Sequence, residues 1–262
     1  MLRTRIITAL IALPIVAAAI FAGGLWFFAS TTIVTLITGW EFCHMMRAKG
    51  YDVIYALLLG FIFLLMCDGY FTDLGLLGLS ISLALLSSLV WQLFRTNSST
   101  PTADWALTVA GGLYIGWGMA RLVALRQLPD GLAWVWLALI ANWSADTMAY
   151  LVGRTWGRHK LWPRHSPKKT WEGLAGGVVG GMIGAVVVVL IASSLSWIAG
   201  IILGAIIAVA GLFGDLSISM MKRHVGVKDS SKLFPGHGGF LDRLDSVLFV
   251  SIVVYYYALW IG

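Results

Sequence analysis

Almost the whole chain consists of apolar runs of about twenty residues, separated by short polar connections. A run of that length is what a helix needs to cross the hydrocarbon core of a bilayer. Only 11% of the residues are charged, against about a quarter in soluble domains, so the chain cannot cover a water-exposed surface. The sequence therefore predicts an all-α integral membrane protein, a polytopic helical bundle.

Hydropathy windows delimit nine candidate membrane spans. The first resembles a secretory signal peptide, but equally apolar segments follow it, so we expect a retained helix. The spans are expected to form one continuous membrane domain, with N-terminal helices over 1–130 and the chemistry-bearing residues over 131–262. The nine spans cover residues 5–23, 25–45, 53–70, 74–94, 105–125, 132–152, 173–193, 197–218 and 244–261.

The distribution of basic residues predicts the orientation. With a cytoplasmic N-terminus, sixteen of the eighteen Lys and Arg residues fall on the cytoplasmic side, and only Arg121 and Arg126 fall outside. We therefore expect a multi-pass protein of a bacterial inner (plasma) membrane, with its N-terminus in the cytoplasm. Because the basic residues lie between spans, the net charge of +6 reflects topology and does not indicate nucleic-acid binding.

One face of the sixth span carries polar residues. Asn142, Asp146 and Tyr150 recur at intervals of four, so they lie on the same side of a helix. An ionised Asp in a membrane helix costs roughly 2.5–3.5 kcal/mol on insertion scales, so it usually faces a partner or a wet cavity. The pattern indicates either a functional acid or a structural pair with a loop Arg.

The connection over 153–173 is rich in Gly, Ser, Thr and basic residues, including Lys168 and Lys169. Taken alone, such a loop is typical of a topology-setting segment that binds lipid headgroups. The same residue types are what a bound polyphosphate needs. Ser166-Pro167 is interpreted as the start of a helix, whose free N–H groups would add to an anion site.

Acidic and basic residues are interspersed from Asp215 to Asp245. Asp215 and Ser219 share a helical face at i, i+4, and Asp242 and Asp245 share one at i, i+3. Two carboxylates at a helix start repel each other unless a cation lies between them, and Mg²⁺ suits a site that also holds phosphates. His237 has no Cys or second His nearby, so a turn or phosphate contact is favoured over zinc.

The predicted topology gathers these groups on one side of the membrane. Asp146, Asp215, Asp242 and Asp245 all fall near the cytoplasmic ends of their spans, beside the two basic loops. Ligands for a metal and positive charges for phosphates are therefore expected in one layer, at the depth of lipid headgroups.

The stretch from Ser219 to Asp245 resembles the signature of CDP-diacylglycerol synthases (phosphatidate cytidylyltransferases). In the residues present here it is S-x-x-K-R-x4-K-D-x-S-x2-F-P-x-H-G-G-x-x-D-R-x-D. The segment from Asp146 through the Ser166 to Gly173 block is similar to the family's upstream block, so the resemblance covers roughly 140–262. The first 130 residues are similar in hydropathy alone.

The resemblance implies transfer of a cytidylyl group from CTP to phosphatidic acid in the membrane, with Mg²⁺ required and a second cation, such as K⁺, beside it. Asp215 and Asp242 are assigned as metal ligands, with Asp245 and Asp146 as further ligands. The predicted catalytic set joins Asp215 and Asp242 to Lys222 and Arg223. Substrate binding is assigned to Ser219, Lys228, Lys232, His237, Arg243, Lys168, Lys169, Asn142 and Tyr150.

Two other functions share parts of this pattern. A CTP-dependent lipid kinase, such as a polyprenol kinase, would use the same nucleotide and metal but transfer the γ-phosphoryl group. An anion transporter would place its coupling site near the midplane between repeated halves, whereas these acids lie toward one face and no repeat is visible. The sequence leaves open whether the chain forms a homodimer.

Overall fold

The computed structural model describes residues 2–96, 98–192, 195–231, 233 and 238–261, with the backbone alone over 2–11. Each of the nine predicted spans coincides with one helix, and the ends differ by up to six residues. The helices of the described chain are α1 Leu2–Ala22, α2 Gly24–Ala48, α3 Tyr55–Tyr70, α4 Leu76–Leu93, α5 Pro101–Gln127, α6 Gly131–Thr155, α7 Trp171–Ala192, α8 Trp197–His224 and α9 Leu241–Ile261.

Seven of these helices are long and apolar enough to cross a membrane, counted over the described residues: α2 and α4 to α9. Shorter apolar stretches lie in α1, over Ala12–Ala22, and in α3. Large apolar side chains such as Trp26, Leu93 and Ile191 are mostly exposed, as expected for helices whose outer surface contacts lipid. The prediction of an all-α polytopic membrane protein is confirmed.

The chain divides into two compact units, each built from two stretches of sequence. The first unit comprises Met1–Ala124 and His224–Arg243, and the second comprises Leu125–Arg223 and Leu244–Gly262. The segment between α8 and α9 thus belongs with the N-terminal helices. The division of the membrane domain at residue 130, expected from the sequence, stays a prediction.

In the first unit, a buried ion pair joins α3 and α5. Arg121 Nη2 donates to Asp68 Oδ2 at 2.7 Å, and both side chains are less than a tenth exposed. The guanidinium also lies 4.0 Å from the Trp117 ring centroid. A buried charge needs such partners because desolvation is costly. Arg121, one of the two basic residues that the orientation rule leaves outside, is therefore neutralised within the protein.

In the second unit, α7 packs through glycines. A Cβ on Gly181 would meet the backbone oxygen of Gly204 in α8, and a Cβ on Gly204 would meet that of Gly181. On the α6 side, a Cβ on Gly180 would meet Met148 and the backbone oxygen of Ser144. The backbone of α7 thus approaches those of α6 and α8 closely, as small residues permit in membrane helices.

A short hairpin precedes α7, and it corrects one sequence expectation. Strand β1, Lys160–Trp162, pairs antiparallel with β2, Ser166–Thr170. The predicted helix start at Ser166-Pro167 is therefore wrong: α7 begins at Trp171, where Thr170 Oγ1 accepts a hydrogen bond from Gly173 N at 3.1 Å. Thr170 is the N-cap because its hydroxyl reaches the third helical N–H, which Ser166 cannot do from within a strand.

Candidate functional site

Three carboxylates from three helices act on one another in the second unit. Asp146 lies in α6, Asp215 in α8 and Asp245 in α9, and each is close enough to another to repel it electrostatically. Lys169 and Lys222 provide the positive charge that opposes this repulsion. Neighbouring carboxylates repel each other unless a proton or a cation lies between them, so the cluster is a candidate site for cationic groups.

The positive charge nearest to Asp215 is Lys169. Its Nζ lies 2.5 Å from Asp215 Oδ2, and both side chains are partly exposed. Asp215 Oδ1 also accepts a hydrogen bond from Ser219 Oγ at 3.2 Å, which confirms that the two residues share a helical face. Further along α8, the side chain of Lys222 is buried. The cluster therefore combines three acids with two lysines.

The remaining predicted metal ligand, Asp242, belongs to the first unit and binds residues that precede α9. Its Oδ2 accepts hydrogen bonds from Ser230 N at 2.8 Å, Ser230 Oγ at 2.9 Å and Gly239 N at 3.0 Å. Ser230 and Gly239 lie in the segment between α8 and α9, and Asp242 lies in the first turn of α9. Asp242 therefore joins Ser230 and Gly239 to the first turn of α9.

A second carboxylate binds the same segment. Glu41, in α2, is fully buried and accepts hydrogen bonds from Ser230 Oγ, Ser231 Oγ and the backbone N–H groups of Phe240 and Leu241. Sequence reasoning missed Glu41 because it stands alone within an apolar run. The available signal was an ionisable residue inside a predicted span, which by itself marks a candidate functional position.

The other predicted site residues divide between buried and exposed positions. Asn142 is buried and its Nδ2 donates to Ser246 Oγ at 2.8 Å, whereas Tyr150 is exposed and its hydroxyl accepts from Arg154 at 3.1 Å. Two predicted residues, Lys232 and His237, lie outside the described residues. The exposed basic side chains of the predicted set are Lys168, Arg223, Lys228 and Arg243.

The donor chemistry of the acid cluster fits Mg²⁺, which prefers carboxylate oxygens and retains waters. The arrangement is less compact than a formed metal site: among the described residues, no group of three or more His, Cys, Asp and Glu side chains is gathered to hold a metal ion. The Lys169 ammonium lies on Asp215, where a cation would bind. The metal assignments, including that of Asp242, stay predictions.

The sequence pattern of the cytidylyltransferase family matches residues 3–261. The chain belongs to the cytidylyltransferase family. Membership covers the first 130 residues as well as the motif-bearing part, so α1 to α5 are family structure and not an unrelated extension. The matched range also contains Glu41 and the residues at the start of α9 that it binds.

Curated relatives match the chain from end to end. It is similar to the phosphatidate cytidylyltransferase of Bacillus subtilis, with 34% identity over 261 residues that cover 97% of each chain. It is also similar to the phosphatidate cytidylyltransferases of Staphylococcus saprophyticus, with 34% identity, and Staphylococcus haemolyticus, with 35% identity. Each of these two matches covers 95% of this chain and 96% of the relative.

Proposed function

We propose that this protein transfers CMP from CTP to phosphatidic acid, forming CDP-diacylglycerol and pyrophosphate for phospholipid biosynthesis. The observation that carries the proposal is the cluster of Asp146, Asp215 and Asp245 with two lysines, carried on helices of a membrane protein. Acids for a metal and bases for phosphates are what a nucleotide and an anionic lipid together require. Relatives named phosphatidate cytidylyltransferase support this choice of substrates.

The reaction needs charge neutralisation more than proton transfer. A phosphomonoester oxygen of phosphatidate attacks the α-phosphorus of CTP and forms a new P–O bond. The bond between the α-phosphorus and the oxygen that bridges it to the β-phosphorus breaks, and pyrophosphate leaves. The nucleophile is already an anion, so no strong general base is required. Catalysis can come from positioning the two substrates and from positive groups that oppose the developing charge.

The two lysines of the acid cluster are suited to oppose the negative charge that develops on the phosphates. Lys222 is buried on α8, where a desolvated ammonium interacts strongly with a phosphate. Lys169 is partly exposed and forms an ion pair with Asp215. A bound phosphate could compete for Lys169, and a bound cation could compete for Asp215. Ser219, bonded to Asp215, adds a hydroxyl donor on the same face. Together these groups would bind phosphate oxygens of the nucleotide.

The expected metal is Mg²⁺, which when bound would supply further neutralisation of phosphate charge. Asp215, Asp245 and Asp146 are the residues of the described chain that would hold it, because they supply hard oxygen ligands from three helices. A second cation, such as K⁺, and a ligand role for Asp242 remain part of the proposal. Their support is the resemblance of the signature.

The proposed reaction also requires the site to lie on one particular side of the membrane. CTP is cytoplasmic and cannot cross a bilayer, so the loops after α6 and α8 would face the cytoplasm, with the N-terminus inside and the protein in a bacterial inner membrane. The excess of Lys and Arg in the connections assigned to the inside supports this orientation.

The direct test is product analysis with two labels. Purified protein in detergent micelles is given phosphatidate, Mg²⁺ and CTP labelled at either the α- or the γ-phosphate. We expect lipid-extractable label only from α-labelled CTP, together with release of pyrophosphate. Lipid label from γ-labelled CTP would indicate a lipid kinase instead. No lipid label from either nucleotide would overturn the proposed function.

A further inference from the structure

Glu41 is a buried acid in a predicted membrane span, and its hydrogen-bonding capacity is used by one segment of the chain. Its Oε1 accepts from Ser231 Oγ at 2.7 Å and Phe240 N at 3.1 Å. Its Oε2 accepts from Ser230 Oγ at 3.2 Å and Leu241 N at 2.8 Å. A buried carboxylate is retained only where donors replace its water, and here all four belong to residues 230–241.

Two of these donors belong to the start of α9. Leu241 is the first residue of the helix, and Phe240 precedes it. The first N–H groups of a helix have no partner within the helix, and the positive end of the helix dipole favours an anion there. Glu41 therefore caps α9 from α2, a helix that lies 200 residues earlier in the chain.

One of the other two donors, Ser230, connects Glu41 to Asp242. Ser230 Oγ lies within hydrogen-bond distance of both carboxylates, Glu41 Oε2 and Asp242 Oδ2. Gly239 lies between them as well: its N–H donates to Asp242, and a Cβ at this position would meet both oxygens of Glu41. The position of Asp242 thus depends on a network that Glu41 completes.

We propose that Glu41 is a positioning residue for the reaction: it fixes Ser230, Ser231 and the first turn of α9, and thereby the signature residues Asp242 and Arg243. This inference rests on the proposed function for its catalytic consequence, but the contact itself can be measured without substrates. It also assigns a role to α2, which carries no signature motif.

If Glu41 only stabilised the fold, its loss should affect activity no more than the loss of another buried helix-terminal acid. Asp104 provides that matched control. Asp104 is also fully buried, lies in the first turn of α5 and accepts hydrogen bonds from Asp52 N at 2.8 Å, Ser98 Oγ at 2.5 Å and Thr100 Oγ1 at 3.1 Å. None of its donors belongs to the signature. Asp104→Asn therefore measures the effect of losing a buried helix-terminal acid as such.

The first measurement is hydrogen–deuterium exchange of substrate-free protein in detergent. Glu41→Gln replaces one of the two acceptor oxygens with an amide donor, so one of the Phe240 and Leu241 amides loses its acceptor, and we expect that amide to exchange about tenfold faster or more. Asp104→Asn should leave these amides at the wild-type rate. Wild-type exchange at Phe240 and Leu241 in Glu41→Gln would overturn the proposed contact.

The second measurement is the kinetics of CMP transfer. Glu41→Gln should lower kcat about tenfold or more while the KM for CTP changes by less than about threefold, because the nucleotide's own contacts remain. Glu41→Asp, which keeps the charge, should recover part of kcat; it also serves if Glu41→Gln does not fold. Equal loss of kcat in Asp104→Asn, or wild-type kcat in Glu41→Gln, would overturn the positioning role. If wild-type protein transfers no CMP, the proposed function fails, and exchange alone decides the contact.

Discussion

Lys169 Nζ lies 2.5 Å from Asp215 Oδ2, which ties strand β2 to α8 within the second unit. The adjacent Lys168 is exposed, as expected for neighbouring residues of a strand, whose side chains point to opposite sides. The two lysines are equivalent in the sequence pattern but differ in the structure. Of Lys168 and Lys169, it is Lys169 that contacts the acid cluster.

This difference predicts unequal effects of two single substitutions. Lys169→Ala should lower kcat/KM for CTP by about tenfold or more, because it leaves Asp215 without its nearest positive charge and removes a phosphate contact. Lys168→Ala should change kcat/KM by less than about threefold. Initial rates with labelled CTP in phosphatidate micelles provide the measurement. Equal losses of kcat/KM in both variants would indicate that the two lysines contribute only through the overall charge of the loop.

The acid cluster predicts a specific loss on neutralising Asp215. Asp215→Asn keeps the volume but removes the charge that a divalent cation needs, so turnover should fall by about a hundredfold or more and the Mg²⁺ concentration for half-maximal rate should rise. Asp73→Asn, at an exposed acid in the turn after α3, is the control and should behave as wild type. An unchanged Mg²⁺ dependence in Asp215→Asn would remove Asp215 from the metal site.

The glycine contact between α7 and α8 predicts a stability effect. Gly181→Ala would press a methyl group against the Gly204 carbonyl, and a backbone cannot rotate away as a side chain can, so stability should fall by roughly 1–3 kcal/mol. Gly78→Ala in α4, where a Cβ would meet nothing within 4 Å, is the matched control. Thermal unfolding in detergent compares them. A melting temperature of Gly181→Ala at or above that of Gly78→Ala would contradict the close contact.

Sidedness can be tested with single cysteines in a background lacking Cys43 and Cys67. Arg164→Cys and Asp229→Cys use exposed positions in the two basic loops, whereas the nearby Ser230 is too buried for labelling. Both should react with an impermeant thiol reagent only when it reaches the cytoplasmic face. Ser194→Cys, in the connection between α7 and α8, should react from the opposite face; Ser194 lies outside the described residues. Labelling of Arg164→Cys and Asp229→Cys from opposite faces would exclude the proposed orientation.

Hydropathy was sufficient to predict every α-helix of the described residues because lipid exposure imposes long apolar runs. It located helix ends less well: α8 continues to His224, six residues past the predicted span, since polar residues can extend a helix beyond the hydrocarbon. Spacing along one helix also predicted the Asp215–Ser219 contact. These features depend only on neighbours in the sequence.

Features that depend on distant contacts were not predictable in this way. Glu41 acquires its role from Ser230, 189 residues later, and no local pattern announces that pairing. The β1–β2 hairpin is short and contains Pro167, so strand periodicity was too weak to compete with a helix-start interpretation. For the same reason, the pairing of Asp215 with Lys169 and not with Lys168 required the fold.

The glycine contacts of α7 have a consequence for how the protein responds to membrane fluidity. Larger side chains at a helix interface can change rotamer as lipid tails stiffen or melt, and the helices then shift. Gly181 and Gly204 have no side chain to reorder, so their contact has no such freedom. The spacing of α6, α7 and α8, and with it the separation of Asp146 from Asp215, should therefore persist across the lipid phase transition.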